Sequence, residues 1–517
     1  MQKEPRECVI KVLWGDILML LLFALYLYFY IGTQNDLDYT LPILYFVFYC
    51  FMRIYTQGNS KEIIVLLTKI VPIVIFMHIT VCCLQFINII PNFHDFFHVG
   101  STFGNPDKLG AYLAVLLPFC YINQKRKIVG YSALIVCVFL LFLLQARTAL
   151  LAIAVPGIVY LVSRNILLKK HLLWGLIPGV FGLIALIYWH PVSVSGRFFI
   201  WIVASSMIVS KPQGWGLYAF QKHYPEFQSN FILNHPKIAE TFNIDVVHSS
   251  FNEFLNIGVT LGVLGLLCYV LLIIYILISA YKAHSPLLFP LISFQIVSFS
   301  YFPFQIVPLT VVFVLLMAMA INSDSTHTIK IVGIRYRALV IISLIVFSSF
   351  LSFSNMQNYQ QWQLAVKYAQ DKKTHTVSDE IFKKQYPQML GNGLFLLSYA
   401  ELSDKMGDTP LSFSLLKEAD NYYSDPVFLQ ILSSAYEKQG DINEAKRKFE
   451  IAVNMLPEQF NIAYEQILFL QRIGEKKKVY ELALKLHNKP IKSTYYVDSQ
   501  IIKKRLEAII LSYEKTN

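Results

Sequence analysis

Long apolar runs extend through residues 1–353 and limit what this chain can fold into. A membrane-spanning helix needs about 20 consecutive apolar residues to cross the hydrocarbon core. Such segments must be helical, because lipid offers no water to satisfy backbone N–H and C=O groups. The sequence therefore predicts an all-α fold, a polytopic membrane helical bundle of about 11 spans. The predicted spans are residues 12–31, 39–56, 63–90, 108–122, 128–146, 149–163, 172–190, 254–280, 286–302, 305–321 and 337–353.

Charged residues are distributed unevenly along the chain. They make up 15% of the 517 residues. They account for roughly a tenth of residues 1–353 but about a quarter of residues 354–517, and the latter share is typical of soluble proteins. The change near Ser354 therefore predicts a transmembrane domain over 1–353 and a soluble α-helical domain over 354–517.

The positions of lysine and arginine residues predict how the chain is oriented in the membrane. The first span follows Lys3, Arg6 and Lys11 without a small-residue cleavage site, which predicts a retained signal anchor. Alternate short loops are basic, whereas the opposite ones, such as 32–38, carry no Lys or Arg. By the positive-inside rule, the N-terminus is then cytoplasmic. The large loop at about 191–253 and the C-terminal domain are expected on the periplasmic side of a bacterial inner membrane.

The net charge of +11 comes largely from these cytoplasmic loops, so no nucleic-acid partner is needed to explain it. All seven cysteines lie in or beside the predicted spans, which gives no support to a disulfide framework. No HExxH or CxxC spacing occurs. We therefore expect neither a metal nor another cofactor.

The C-terminal domain contains a helical-repeat pattern at residues 427–457. Gly440-Asp441 fits the turn of a tetratricopeptide-like unit, and similar pairs recur about one 34-residue period away on each side. The pattern's characteristic positions are Tyr436, Ala445, Phe449, Ala452 and Pro457. The alternative is a helical hairpin of no particular family. Repeat arrays present concave binding surfaces, so we expect a docking module for a protein partner.

The external loop is basic and partly amphipathic. Its Arg197 precedes an apolar stretch that predicts an interfacial helix ending at Lys211-Pro212. A basic site at membrane level suits an anionic headgroup or a diphosphate, which the planar arginine fork can bind through two oxygens. Lys211, Lys222 and Lys237 are better explained as interface anchors whose ammonium groups reach towards water.

Two further ionisable residues stand out near predicted span ends. Arg147 lies in a very short external turn, where an ionisable group at membrane depth is either paired, functional or extended to the interface. His248 precedes the next long span, and its imidazole titrates near neutral pH, so it is a candidate base. A lone histidine can also be an ordinary polar residue at the interface.

The segment Gly104-Asn105-Pro106-Asp107 predicts a helix start. Asn105 can cap the helix, and Pro106 suits the first helical position. An anion site at this helix start is the alternative. The cap is favoured, because Asp107 would repel an anion.

Taken together, four segments resemble the superfamily of O-antigen ligases and polymerases, which also includes bacterial protein O-oligosaccharyltransferases. They occur in the family's order, at residues 101–119, 146–153, 196–228 and 251–265. The resemblance implies a glycosyltransferase that moves a glycan from a polyprenyl diphosphate to an acceptor hydroxyl. The acceptor would be a lipid A core, another glycan, or a Ser/Thr side chain.

The resemblance also implies roles for individual residues. Arg147 and Arg197 match two family arginines, which would bind and neutralise the diphosphate. The family's histidine aligns on Phe251, three residues after His248. We hypothesise that His248 is the general base and that Glu253 is the second candidate for this role. The competing interpretation is a membrane assembly scaffold or a polysaccharide transporter without catalytic activity.

Overall fold

The computed structural model describes residues 10–31, 37–57, 59–92, 97–122, 127–163, 191–237, 242, 244–247, 249–323, 329–331, 356–491 and 496–514. The chain divides into two compact units. The first contains 1–29, 38–191 and 249–354, and the second contains 30–37, 192–248 and 355–517. The loop 192–248 thus groups with the C-terminal residues, whereas the change in composition near Ser354 groups it with the membrane segments.

The first unit is built from apolar helices. Its helices are α1 Trp14–Tyr30, α2 Leu37–Tyr55, α3 Ser60–Phe86, α4 Pro106–Leu116, α5 Pro118–Ile122, α6 Lys127–Leu143, α7 Arg147–Ser163, α10 Glu253–Lys282, α11 Leu288–Ser300 and α12 Val307–Asn322. Short 3-10 helices lie at Ser101–Phe103 and Pro303–Gln305. The helical fold class is confirmed, with one small difference. Strand β1, Ile10–Val12, pairs antiparallel with β2, Ile329–Ile331.

Every predicted span in the described part of the chain overlaps one or more of these helices. Two helices, α3 and α10, are by themselves long and apolar enough to cross a membrane, and the other apolar helices are shorter. The predicted spans 172–190 and 337–353 lie outside the described residues. The total of about 11 spans therefore stays a prediction.

A buried ion pair joins three helices of the first unit. The Arg53 guanidinium on α2 contacts both carboxylate oxygens of Asp16 on α1, at 2.8 and 2.9 Å. The hydroxyl of Tyr49 donates to the same carboxylate, and Arg53 also contacts Asn322 at the end of α12. The fork of the guanidinium matches the two oxygens of the carboxylate, which makes the pair bidentate.

The second unit combines the loop helices with the C-terminal helices. The loop helices are α8 Pro191–Ser210 and α9 Tyr224–Asn234, with a π-helix at Ala219–His223 between them. The C-terminal helices are α13 His375–Met389, α14 Gly393–Lys405, α15 Thr409–Ala419, α16 Pro426–Lys438, α17 Ile442–Met455, α18 Phe460–Arg472, α19 Lys476–Asn488 and α20 Tyr496–Glu514. Helix α8 ends one residue before Lys211, as the sequence predicts.

Three successive helical hairpins form the C-terminal part: α14 with α15, α16 with α17, and α18 with α19. Each turns at a left-handed glycine, with φ of +86° at Gly407, +82° at Gly440 and +82° at Gly474. The Asp441 carboxylate caps α17 by accepting from the backbone N–H of Glu444 at 3.2 Å. The positions of these turns match the sequence prediction, and the tetratricopeptide assignment stays a prediction.

Candidate functional site

Two predicted site residues of the first unit, Arg147 and Glu253, lie near the end of α11. We call residues 298–305, which include this helix end and the following 3-10 turn, the α11 corner. The Ser300 hydroxyl donates to Thr148 Oγ1 at 3.3 Å, so the corner contacts the first turn of α7. Arg147 is the first residue of α7.

Arg147 is placed by a tight turn between α6 and α7. Gln145 adopts a φ of +55°, and the backbone N–H of Ala146 then donates to the Leu141 carbonyl at 3.0 Å. The Arg147 side chain is half-buried. Among the residues that the structure describes, no carboxylate pairs with its guanidinium. A half-buried arginine with no counter-charge in the described part of the chain is suited to bind an anion.

Glu253 begins α10 and is buried, with only 2% of its surface exposed. Asn252 caps the helix by accepting from the Leu255 N–H at 3.1 Å. The Asn256 amide donates to Glu253 Oε1 at 3.1 Å, and the backbone of Phe304 in the α11 corner lies beside the carboxyl group. Within the described residues, the buried Oε2 atom has no hydrogen-bond partner. This oxygen is therefore available to accept a proton or a hydrogen bond.

A break in α10 brings Glu253 to this position. Gly262 has a φ of 76° and a ψ of −175°, which is not helical. The rings of Phe254 and Tyr269 have centroids 5.3 Å apart. In a continuous helix their positions would be separated by about 22 Å, at roughly 1.5 Å of rise per residue. The chain therefore bends back at Gly262, and the segment from Glu253 to Leu261 packs against the rest of α10.

Phe251 occupies the position that the resemblance assigns to a histidine. Its φ of +50° lies in the left-handed region. Its ring packs against Phe302 and Tyr301 of the α11 corner, with centroids 5.3 and 6.4 Å away. Phe251 is thus two residues from Glu253 in sequence and packs against the same corner. Its phenyl ring, however, carries no group that can take a proton.

Arg197 belongs to the second unit, on α8, and is half-buried. The neighbouring Phe199 is fully buried, with its ring 6.2 Å from Phe231 of α9 and 6.1 Å from Phe242. The apolar face of α8 thus packs on the loop's own helix α9. This packing fixes the helix that carries Arg197.

Residues 132–270 match the sequence model of the O-antigen ligase family. We call residues 132–270 the matched segment, which is similar to the O-antigen ligase family. It contains Arg147, Arg197, His248 and Glu253, and the family indicates a membrane protein with a glycan-transferase-like function and a lipid-linked glycan donor. A comparison with curated proteins finds no match to the chain.

The matched segment contains one lysine, Lys222, whose environment differs from the prediction. Lys222 is buried, at 8% exposure, and pairs with Glu226 at 2.8 Å and Asp420 at 3.2 Å. The interpretation as an anchor extended to the interface is wrong for Lys222, because its ammonium group pairs with carboxylates of its own unit. Lys211 is exposed and lies over the Trp215 ring at 5.1 Å, and Lys237 is exposed.

Two candidate residues of the matched segment adjoin the α11 corner: Glu253 lies beside Phe304, and Arg147 precedes Thr148, which contacts Ser300. Arg197 lies in the second unit. His248 lies outside the described residues, so its role as a base stays a prediction.

Ahead of the matched segment, the predicted start of α4 is confirmed. Asn105 Oδ1 accepts from the N–H groups of Asp107 and Lys108 at 2.8 and 3.3 Å. The side chain thus satisfies two of the donors that an anion would use, which favours the structural account over an anion site.

The sequence reasoning missed the residues that hold the turn before this helix. Gln85 is buried, and its Oε1 accepts from the N–H groups of Gly100 and Ser101 at 3.1 and 2.8 Å. His78 Nδ1 lies 2.9 Å from the Ser101 hydroxyl. The sequence feature that could have identified Gln85 is its polar amide within an apolar run, because polar groups in a span usually have a structural or functional partner.

Proposed function

We propose that this chain is a metal-independent glycosyltransferase of the bacterial inner membrane. It would transfer an oligosaccharide or polysaccharide from a polyprenyl diphosphate to an acceptor hydroxyl on a lipid, a glycan or a protein. The observation that carries this proposal is the O-antigen ligase match over residues 132–270, because that segment contains every candidate site residue. The large loop and the C-terminal domain would then lie in the periplasm.

Arg147 and Arg197 bind the donor's diphosphate in this proposal. A guanidinium can hold two phosphate oxygens at once and keeps its charge at every physiological pH. The absence of a carboxylate partner for Arg147 in the described part of the chain supports an anionic ligand. As the diphosphate leaves, these charges stabilise the negative charge that develops on it.

A base must remove the proton from the acceptor hydroxyl. The oxygen of the acceptor hydroxyl forms a bond with the anomeric carbon of the donor, while the bond from that carbon to the diphosphate oxygen breaks. The electron pair of the broken bond leaves with the diphosphate. Glu253 has an oxygen without a partner in the described residues, which supports it as the base, and His248 remains the other candidate.

The C-terminal helical hairpins would form the tetratricopeptide-like module and dock a protein partner. A binding role is supported by a groove between the hairpins, of about 470 Å³, lined by side chains that include Glu401, Asp404, Lys438 and Arg472. The mixture of charges along this groove suits a polar peptide rather than an apolar one.

A non-catalytic assembly scaffold is the second candidate. The observation that favours it is Phe251, which stands at the family's histidine position and packs into the α11 corner. A scaffold would retain donor binding through the arginines but would transfer no glycan. The two functions therefore differ in turnover rather than in affinity for the donor.

The deciding experiment is an in vitro transfer assay with the purified full chain and a polyprenyl-diphosphate glycan. Lipid A core, a free glycan and a Ser/Thr protein serve as the three acceptors. The variants are Arg147→Ala, Arg197→Ala, His248→Ala and Glu253→Gln, with Arg447→Ala as the control on an exposed helix face. We expect transfer by the wild type and the control, loss of about a hundredfold or more in both site arginine variants, and a similar loss in one base variant.

Full activity in all four site variants would refute these residue roles. No transfer to any acceptor, with the donor still bound, would refute the enzyme and favour the scaffold. The acceptor that gives product would identify the subclass.

A further inference from the structure

Within the second unit, the loop is joined to the C-terminal helices by buried charges. Lys222 Nζ lies 3.2 Å from Asp420 Oδ1, and Lys448 Nζ lies 2.5 Å from Asp420 Oδ2. Lys222 also pairs with Glu226 at 2.8 Å. Lys222 and Lys448 are 8% and 2% exposed. Two ammonium groups and two carboxylates thus balance one another in a largely buried network.

Neutral contacts reinforce this network from Tyr218, through the π-helix, to Gln228 in α9. The Gln228 amide donates to the Met455 carbonyl at 2.8 Å, and the Ser424 N–H donates to the Gln221 carbonyl at 2.9 Å. The Tyr218 ring lies 5.8 Å from Tyr422 in an edge-to-face arrangement. These contacts use backbone groups as well as side chains, so they fix the register of α9 on the C-terminal helices.

The same loop segment supports the helix that carries Arg197. Trp215 donates from Nε1 to the Met207 carbonyl of α8 at 2.9 Å. Its ring also packs on Phe227 of α9, at 6.1 Å between centroids. Together with Phe199 on Phe231, this packing connects α8 to α9 at both ends. A continuous set of contacts therefore runs from Asp420 through α9 to α8.

We infer that Asp420 and Lys222 are positioning residues for Arg197, and that the C-terminal domain is a working part of the donor site. This inference rests on the proposed function, because it assigns Arg197 to the diphosphate. An exposed ion pair would have little influence on position. A buried pair is different, since the loss of one partner leaves an uncompensated charge in the interior.

The test uses the full chain in nanodiscs and two measurements. Asp420→Asn removes the shared carboxylate charge with little change in shape. The matched control is Glu507→Gln, because the exposed Glu507 pairs with His487 at 3.2 Å away from the groove. The double variant Lys222→Met/Asp420→Asn restores charge balance between Lys448 and Glu226.

Hydrogen exchange over residues 219–234 reports docking directly. We expect Asp420→Asn to accelerate it by about a hundredfold, the double variant by less, and Glu507→Gln to leave it unchanged. Transfer kinetics report positioning. If only a tenth of the molecules hold α8 correctly, the donor KM rises about tenfold while kcat at saturation is retained.

Irreversible unfolding of a fraction of the molecules gives a different result, since it lowers the apparent kcat and leaves KM unchanged. An unaltered donor KM in Asp420→Asn, with wild-type transfer intact, overturns the inference and leaves the proposed function standing. If the wild type transfers nothing, the proposed function fails. The dissociation constant of a polyprenyl diphosphate then takes the place of KM: a rise of about tenfold in Asp420→Asn supports the positioning role, and an unchanged value overturns it.

Discussion

Lys222 and Asp420 are separated by 198 residues in sequence, yet their charged groups lie 3.2 Å apart. Lys222 belongs to a loop whose segment matches the O-antigen ligase family, and Asp420 follows a helix of the C-terminal domain. In a largely buried pair of this kind, each charge offsets the cost of burying the other, so the folded arrangement needs both. The loop and the C-terminal helices therefore depend on each other for their folded arrangement.

Gln228 is an uncharged residue that also joins the loop to the C-terminal helices, so substitutions there test this dependence without removing an ion pair. Its amide donates to the carbonyls of Met455 and Asp245 at 2.8 and 3.3 Å. Gln228→Glu would direct a carboxylate at these oxygens, and we expect it to lower the free energy of unfolding by about 3 kcal/mol. Gln228→Met should cost about 1–2 kcal/mol. The exposed Gln471→Met, measured in the same thermal unfolding series, should change stability by no more than about 0.5 kcal/mol.

The Asp16–Arg53 pair should stabilise the first unit strongly. Asp16→Asn leaves the guanidinium, whose side chain is 7% exposed, without its carboxylate. We expect a loss of about 3–5 kcal/mol in unfolding of the detergent-solubilised chain. Glu444→Gln breaks the exposed pair with Arg447 and should cost at most about 1 kcal/mol. Equal effects of the two substitutions would show that burial does not determine how much an ion pair contributes to the free energy of unfolding.

His223 should make the second unit sensitive to acid. Burial lowers its pKa below the ordinary 6.5, and the charges of Lys222 and Lys211 lower it further, while Glu226 opposes them. The unfolded chain thus binds the proton more readily than the folded chain, so stability rises with pH. We expect stability to fall as pH drops below about 6.5, and His223→Phe to reduce this loss. Wild type and variant are compared first at pH 8, where the imidazole is neutral; identical slopes below pH 6.5 would contradict the prediction.

Gly262 should be required for the bend in α10. Its φ of 76° with ψ of −175° is a conformation that essentially only glycine adopts. Gly262→Ala is expected to cost about 1–3 kcal/mol and to shift Glu253, so transfer should also fall. Gly157→Ala is the control, because a Cβ there meets nothing within 4 Å and the residue lies inside α7. That substitution should be neutral or stabilise the protein by roughly 0.5–1 kcal/mol.

Two long-range features of the candidate site could not be read from the sequence. The apolar run after Glu253 continues past Gly262 without interruption, so periodicity predicts one helix rather than a bend. Glycine occurs in many membrane helices without breaking them. Likewise, the contact of Phe251 and Glu253 with the α11 corner depends on the packing of α10 beside α11. Sequence spacing does not determine that packing.

The sequence by itself determined the features that depend on local physical chemistry. Apolar runs specified the helices of the first unit, Asn105 specified the start of α4, and Gly440 with Asp441 specified a turn between two helices. The order of the motifs was enough to predict the O-antigen ligase resemblance. Only the tertiary structure decided where Lys222 places its charge. The prediction of an interface anchor considered lipid and water as the possible surroundings, whereas the folded chain supplies a carboxylate from a distant helix. An ammonium group is stabilised by a carboxylate that lies close to it in space. Asp420 is distant in sequence, so it comes close to Lys222 only when the chain folds.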